Sequence, residues 1–170
     1  MVYDLLMNRR QVMGSIAAAV VPAHAAGQER ERFIGVWRLI SCERKLKDGK
    51  VEYPYGEKPV GRITYDRAGR MSATLMRPGR KSTVPPGVSL LSAGAGAEEL
   101  RAAVDGFTAY FGKFDVDEQA KTVIHHVEAA LVSSWVGTDL RRAYSFSGKR
   151  MVLRATTTSV LELVWERESD

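Results

Sequence analysis

The sequence predicts a mainly β fold: a closed or nearly closed antiparallel barrel of about eight to ten strands, with one helix inserted around 97–111. Three observations carry this reading. Gly35-Val36-Trp37, near the start of the patterned region, is answered by Trp165-Glu166-Arg167 near its end. In a closed barrel the first and last strands pair, so the Trp37 ring and the Arg167 guanidinium can stack across the seam, worth about 0.5–2 kcal/mol. Between these bookends lie short alternating segments separated by turn signals, and only one stretch switches to a helical period.

Residues 1–25 stand apart. A short polar stretch ends in Arg9-Arg10, a modest apolar run covers 12–21, and Ala23-His24-Ala25 fits a small-residue cleavage site, the pattern of a signal peptide. The apolar run is shorter than the roughly 20 residues needed to cross a hydrocarbon core. Asn8-Arg9-Arg10-Gln11-Val12-Met13 is similar to the twin-arginine export signature, with a general secretory leader as the alternative. Cleavage after residue 25 makes 26–170 a single barrel domain located in the periplasm or outside the cell.

The elements follow in order. The stretch 33–45 alternates as a strand and meets Asp48-Gly49, a hairpin signal that turns the chain back over 51–55. Strands at 61–65 and 70–77 flank the tight Asp66-Arg67-Ala68-Gly69 turn. Residues 78–96, rich in Pro, Gly, Ser and Thr, form a long loop or lid. From Ala97, Leu100, Val104, Phe107 and Phe111 recur at helical spacing, Glu98 and Glu99 occupy the first turn, and Gly112 is placed to cap the end. Strands resume at 114–116, 122–133, 140–146, 150–156 and 160–167, with Ser147-Gly148-Lys149 as another hairpin turn.

Loss of Arg9, Arg10 and Asp4 with the leader takes the net charge from +5 to +4. The remaining cations are dispersed, without a dense run or interleaved aromatics, which argues against nucleic-acid binding. The one cysteine, Cys42, has no partner for an intramolecular disulfide, so stability rests on the apolar core.

Several segments together resemble the bacterial lipocalin-like domain family of calycin-type barrels. They are Gly35-Val36-Trp37-Arg38-Leu39, Tyr53-Pro54-Tyr55-Gly56, Gly61-Arg62-Ile63-Thr64-Tyr65, Gly69-Arg70-Met71-Ser72, Tyr110-Phe111-Gly112, His125-His126-Val127-Glu128, the strand with Arg142, and Trp165-Glu166-Arg167. The resemblance implies a small barrel around an apolar ligand or, in some relatives, a site that isomerises or cyclises an apolar substrate. It brings no catalytic motif with it.

Alternate residues of a barrel strand point inward, so parity sorts the candidates. His125 shares its face with Val123, Val127, Ala129 and Leu131 and points in, whereas His126 joins Thr122 and Glu128 on the outside. An inward imidazole can serve as a general base or hydrogen-bond a ligand carbonyl; its alternative role is structural, bonded to a neighbouring strand or a tyrosine. Arg142 shares a face with Leu140, Tyr144 and Phe146, and a buried guanidinium there needs an anion, either a carboxylate such as Glu162 or a ligand oxygen. Tyr65, Met71, Tyr110 and Tyr144 are expected to complete a ligand-lined interior, and Trp37 with Arg167 to close the barrel. His126 and Glu128 lack a third ligand, so neither a metal nor a cofactor is expected.

The favoured reading is an exported protein that binds a small apolar or amphiphilic molecule in its barrel. Two alternatives stand beside it. One is a cofactor-free isomerase or cyclase using His125 and Arg142, and the other is a solidly packed structural or partner-binding barrel. Oligomeric state is left open.

Overall fold

The computed structural model describes residues 27–156 and 159–168; the leader at 1–25 lies outside them. A helix α1 (Gln28–Phe33) leads into nine strands: β1 (Gly35–Lys45), β2 (Val51–Glu52), β3 (Val60–Tyr65), β4 (Arg70–Met76), β5 (Phe107–Asp117), β6 (Thr122–Ala130), β7 (Asp139–Ser147), β8 (Arg150–Thr156) and β9 (Val160–Arg167). Helix α2 (Ala97–Val104) sits in the connection before β5, and a 3₁₀ turn covers Ser133–Trp135. All the strand pairings are antiparallel. Eight strands, β1 and β3 to β9, run in chain order around the barrel, and β1 pairs with β9 to close it. The two-residue β2 is an extra strand held against the far end of β1. The expected closed antiparallel barrel is the fold found.

Closure places Trp37 directly opposite Arg167, and the guanidinium carbon stands 4.2 Å from the centre of the ring. The same guanidinium hydrogen-bonds the carbonyl oxygens of Arg32 and Ile34, while the Trp37 indole N–H donates to the Phe33 carbonyl at 2.7 Å. The seam therefore also fastens α1 across one end of the barrel. Phe33, fully buried, fills that end, with its ring centre 4.9 Å from those of Tyr144 and Phe146 and 5.3 Å from that of Tyr65.

The two ends differ in their connections. At the α1 end, tight turns join β3 to β4, β5 to β6 and β7 to β8. At the other, which we term the mouth, gather 46–59, the long 77–106 connection and the 131–138 segment. The exposure of the inward side chains follows the same axis. Trp37, Tyr65, Phe114, Met151 and Trp165 pack the α1 half with at most 2 % of their surface exposed, whereas Thr108, Ala130, Leu140, Arg142, Ala155 and Leu161 face inward near the mouth and are only half-buried. The barrel is thus closed by aromatic rings at the α1 end and lined by half-buried side chains toward the mouth.

Four local expectations need correction. Phe33 does not start the first strand; it ends α1 and turns into the floor. The inserted helix stops at Val104, because Gly106 takes φ +64 and the chain enters β5 at Phe107, so residues 107–111 are strand. Gly112 is consequently a strand residue and no cap. It faces a bulge in β6, where Phe111 pairs with Ala129 but Gly112 pairs with Val127. A Cβ at Gly112 would overlap the His126 carbonyl oxygen outright, so this close approach requires glycine. The bulge also shifts parity beyond Val127: Ala130 turns inward, while Leu131 is 41 % exposed on the outside, contrary to the simple alternation.

Candidate functional site

Beta pairing brings together groups that are far apart in sequence. His125, on β6 between Phe114 of β5 and Leu140 of β7, projects into the barrel and is 0 % exposed. Its ring is held from both sides, with Nε2 2.9 Å from the Tyr65 hydroxyl and Nδ1 2.9 Å from the Tyr110 hydroxyl. Tyr65 arrives from the floor end of β3 and Tyr110 from the mouth half of β5. The hydrogen bond to a tyrosine that the sequence allowed for His125 is made twice.

Burial strips the imidazolium of solvent, and the Arg142 charge adds repulsion, so the His125 pKa falls to about 3. The ring is neutral near pH 7, with one nitrogen donating and the other accepting. Burial likewise pushes Tyr110 up to about 12 and Tyr65 well above its ordinary value, so both phenols keep their protons. Such a ring is a weak base and a firm hydrogen-bond relay.

Arg142 lies on the inward face of β7, half-buried, two residues from the buried Tyr144. Its Nη1 donates to the Arg141 carbonyl at 3.0 Å, and its positive charge acts on His125, Tyr110 and Tyr65. The suggested carboxylate partner does not serve it. Glu162 lies on the other face of β9, bound to Arg154 at 2.6 Å and Lys45 at 3.3 Å.

The remaining expected residues are dispersed. Met71 is buried toward the floor, opposite Tyr65 on β3 and Gly112 on β5. Tyr144 packs on Phe33 and Phe146, away from His125, and burial together with Glu29 near its hydroxyl raises its pKa. Outside the barrel, His126 bonds Asp139 through Nδ1 at 2.7 Å and Asp115 through Nε2 at 3.0 Å, not Glu128. Those two carboxylates, Asp139 foremost, raise its pKa. Among the described residues no group of three or more His, Cys, Asp or Glu is arranged to hold a metal.

Sequence reasoning missed the aromatic and polar groups at the mouth. Trp135, on the 3₁₀ turn, meets Tyr110 edge-on with ring centres 5.8 Å apart. Across the mouth, the Tyr55 hydroxyl is 2.6 Å from the Thr108 hydroxyl. Cys42 lies buried below, its pKa raised to about 12 by burial, which leaves an unreactive thiol. Neither Trp135 nor Tyr55 sits in an alternating pattern, so periodicity offered no signal for them.

Two open grooves lie on the outside of the barrel, the first with Tyr65 and Met71 in its lining. One of about 520 Å³ lies between Gly35 and the 66–70 turn, and another of about 540 Å³ lies beside Gly61 on the outer face; neither has His125 in its lining. No helix among the described residues is long and apolar enough to cross a membrane.

Comparison with known proteins agrees with this architecture. The family model described as a lipocalin-like domain matches residues 34–168. The chain is also 33 % identical over 103 residues, 57 % of its own length and 89 % of the relative's, to the 4'-hydroxy-3'-methoxypropiophenone carrier protein ppsC of Aspergillus oryzae. With the match extending from the end of the α1 plug to the closing strand, this chain belongs to the lipocalin-like domain family.

Proposed function

We propose that this protein is an exported carrier that holds a small, mostly apolar molecule in the mouth half of its barrel. The observation that carries the reading is the gradient inside the barrel. Fully buried rings close the floor, whereas half-buried side chains line the mouth beneath the long connections. Long loops at one end of a rigid scaffold are the usual place for binding groups, and a small barrel of eight strands has room for one small ligand. Trp135, Leu140 and Leu161 supply apolar contact there, and Tyr110 and Arg142 supply orientation.

The name of the Aspergillus relative describes an aromatic ketone with a hydroxyl and a methoxyl group, and we extend that substrate class, small oxygenated aromatics, to this chain. Proton abstraction by His125 fits less well than binding. A pKa near 3 leaves the ring a poor base, and both its nitrogens are already engaged. The leader at 1–25 supports export, since it has the three-part form of a signal peptide.

Gently purified protein, exported by its own leader, tests both parts. Native mass should exceed denatured mass by one small molecule, and the mature chain should begin near residue 26. A chain that carries nothing, and whose melting temperature is unmoved by saturating aromatic ketones and phenols, sinks the carrier reading. Retention of residues 1–25 sinks export.

A further inference from the structure

The polar groups facing the interior near His125 hold more donor hydrogens than they use among themselves. Tyr65, His125 and Tyr110 carry three acidic hydrogens between them, two hydroxyl and one ring N–H. Only two hydrogen bonds join them, and each uses one hydrogen. One hydroxyl hydrogen is therefore left to point at a fourth acceptor. Arg142 adds a permanent positive charge that acts on all three groups.

Nothing acidic on the barrel's inner face answers that charge. The inward positions of β3 to β9, read from the pairing registers and burial, include no Asp or Glu. Among the described residues Arg142 makes no ion pair, whereas arginines on the outer surface are paired, as Arg38 is with Glu166, Arg62 with Glu168 and Arg154 with Glu162. The other cation near the mouth, Arg44, is bound to Glu52 at 3.2 Å. A half-buried guanidinium without a counter-charge is partly stripped of water, and its charge reaches both tyrosines, one of which carries the spare hydroxyl hydrogen.

We propose that the molecule this mouth takes carries an anionic oxygen, as an aromatic carboxylate or an ionised phenol does. Arg142 pairs with the oxygen, and the spare hydroxyl of the Tyr–His–Tyr chain donates to it. The inference rests on the carrier reading and narrows it. Neutral aromatics fill the same apolar space but leave Arg142 unanswered, and amines meet a like charge.

The test uses 4-methoxycinnamate and its methyl ester, titrated calorimetrically at pH 7 against the full mature chain. The acid should bind at least about tenfold more tightly than the ester, the scale expected of a charge-assisted pair in a partly desolvated site. Arg142→Leu should erase the preference between acid and ester, and Arg142→Lys should restore part of it. Circular dichroism melts of both variants confirm folding, and the Lys variant reads the charge even where the Leu variant fails to fold. An ester that binds as tightly as the acid, or a neutral molecule recovered from the purified protein, overturns the anion and leaves the carrier reading standing. A bare chain that takes neither probe fails the carrier reading itself.

Discussion

A neutral imidazole clamped between two phenols makes His125 sensitive to acid in a definite direction. Its pKa is about 3 in the fold against 6.5 as the ordinary value, so below pH 6.5 the unfolded chain takes up a proton that the folded chain refuses. Stability is therefore present above 6.5 and lost as the pH falls from there toward 3. His126 works in the opposite sense: its raised pKa contributes fully below 6.5 and fades only as the pH rises through the folded value. Between pH 6.5 and 5, where the carboxylates remain mostly ionised, the urea midpoint should fall with pH in the native protein. That slope should flatten in His125→Gln, and an unchanged slope would show that His125 is not the group responsible. Gly112 is the other residue where one atom decides much. Gly112→Ala forces a methyl group into the His126 carbonyl, and denaturation should show a loss of about 3 kcal/mol or more.

Among the elements, α1 has the clearest consequence for its size. Six residues are too few for a stable isolated helix, so it persists because Phe33 is buried under it and Arg167 and Trp37 bind its last carbonyls. Phe33→Ala removes a fully buried ring that touches three others closely, and should cost about 3–5 kcal/mol in chemical denaturation. The 77–106 connection is organised differently. Glu99 of α2 accepts from the hydroxyls of Ser82 and Thr83 and from the Thr83 backbone N–H, while Arg80 donates to the carbonyl of Ala103. The Glu99 bonds lie on an exposed surface and tie the loop only to α2. Glu99→Ala should therefore speed proteolytic nicking within 78–96 while leaving the barrel's melting temperature unchanged; a shared loss of both would place the loop in the barrel's cooperative unit.

On the scale of the whole molecule the barrel has a polarity, closed by buried rings at one end and lined by half-buried side chains at the other. Hydrogen exchange should follow it, with the slowest amides where β1, β3 and β9 meet near Trp37, and faster exchange at the mouth ends of β5 and β6. Uniform protection from end to end would favour a solidly packed barrel over a carrier. Much of this was legible in sequence. The Gly35-Val36-Trp37 and Trp165-Glu166-Arg167 bookends indicated closure, and parity placed His125 inside and His126 outside, because a strand repeats every two residues whatever its neighbours. Illegible features arise from contacts between strands: the bulge opposite Gly112, the insertion of Phe33, and the early end of α2, where the apolar spacing of Phe107 and Phe111 suits a helix as well as a strand.

The sequence by itself determined the class of container, the strand order implied by short turns, and the face on which each candidate lies, since all these depend on local periodicity and turn chemistry. The tertiary structure alone decided which of those candidates meet. Tyr65 and Tyr110 reach His125 from strands 60 and 15 residues away in the chain, and Tyr144 turns from the same interior toward the floor. Arg142 enters without the carboxylate the sequence offered it, because Glu162 lies on the opposite face of its strand. Such meetings depend on register and closure around the barrel, which are set by the packing of all eight strands together and by no single segment.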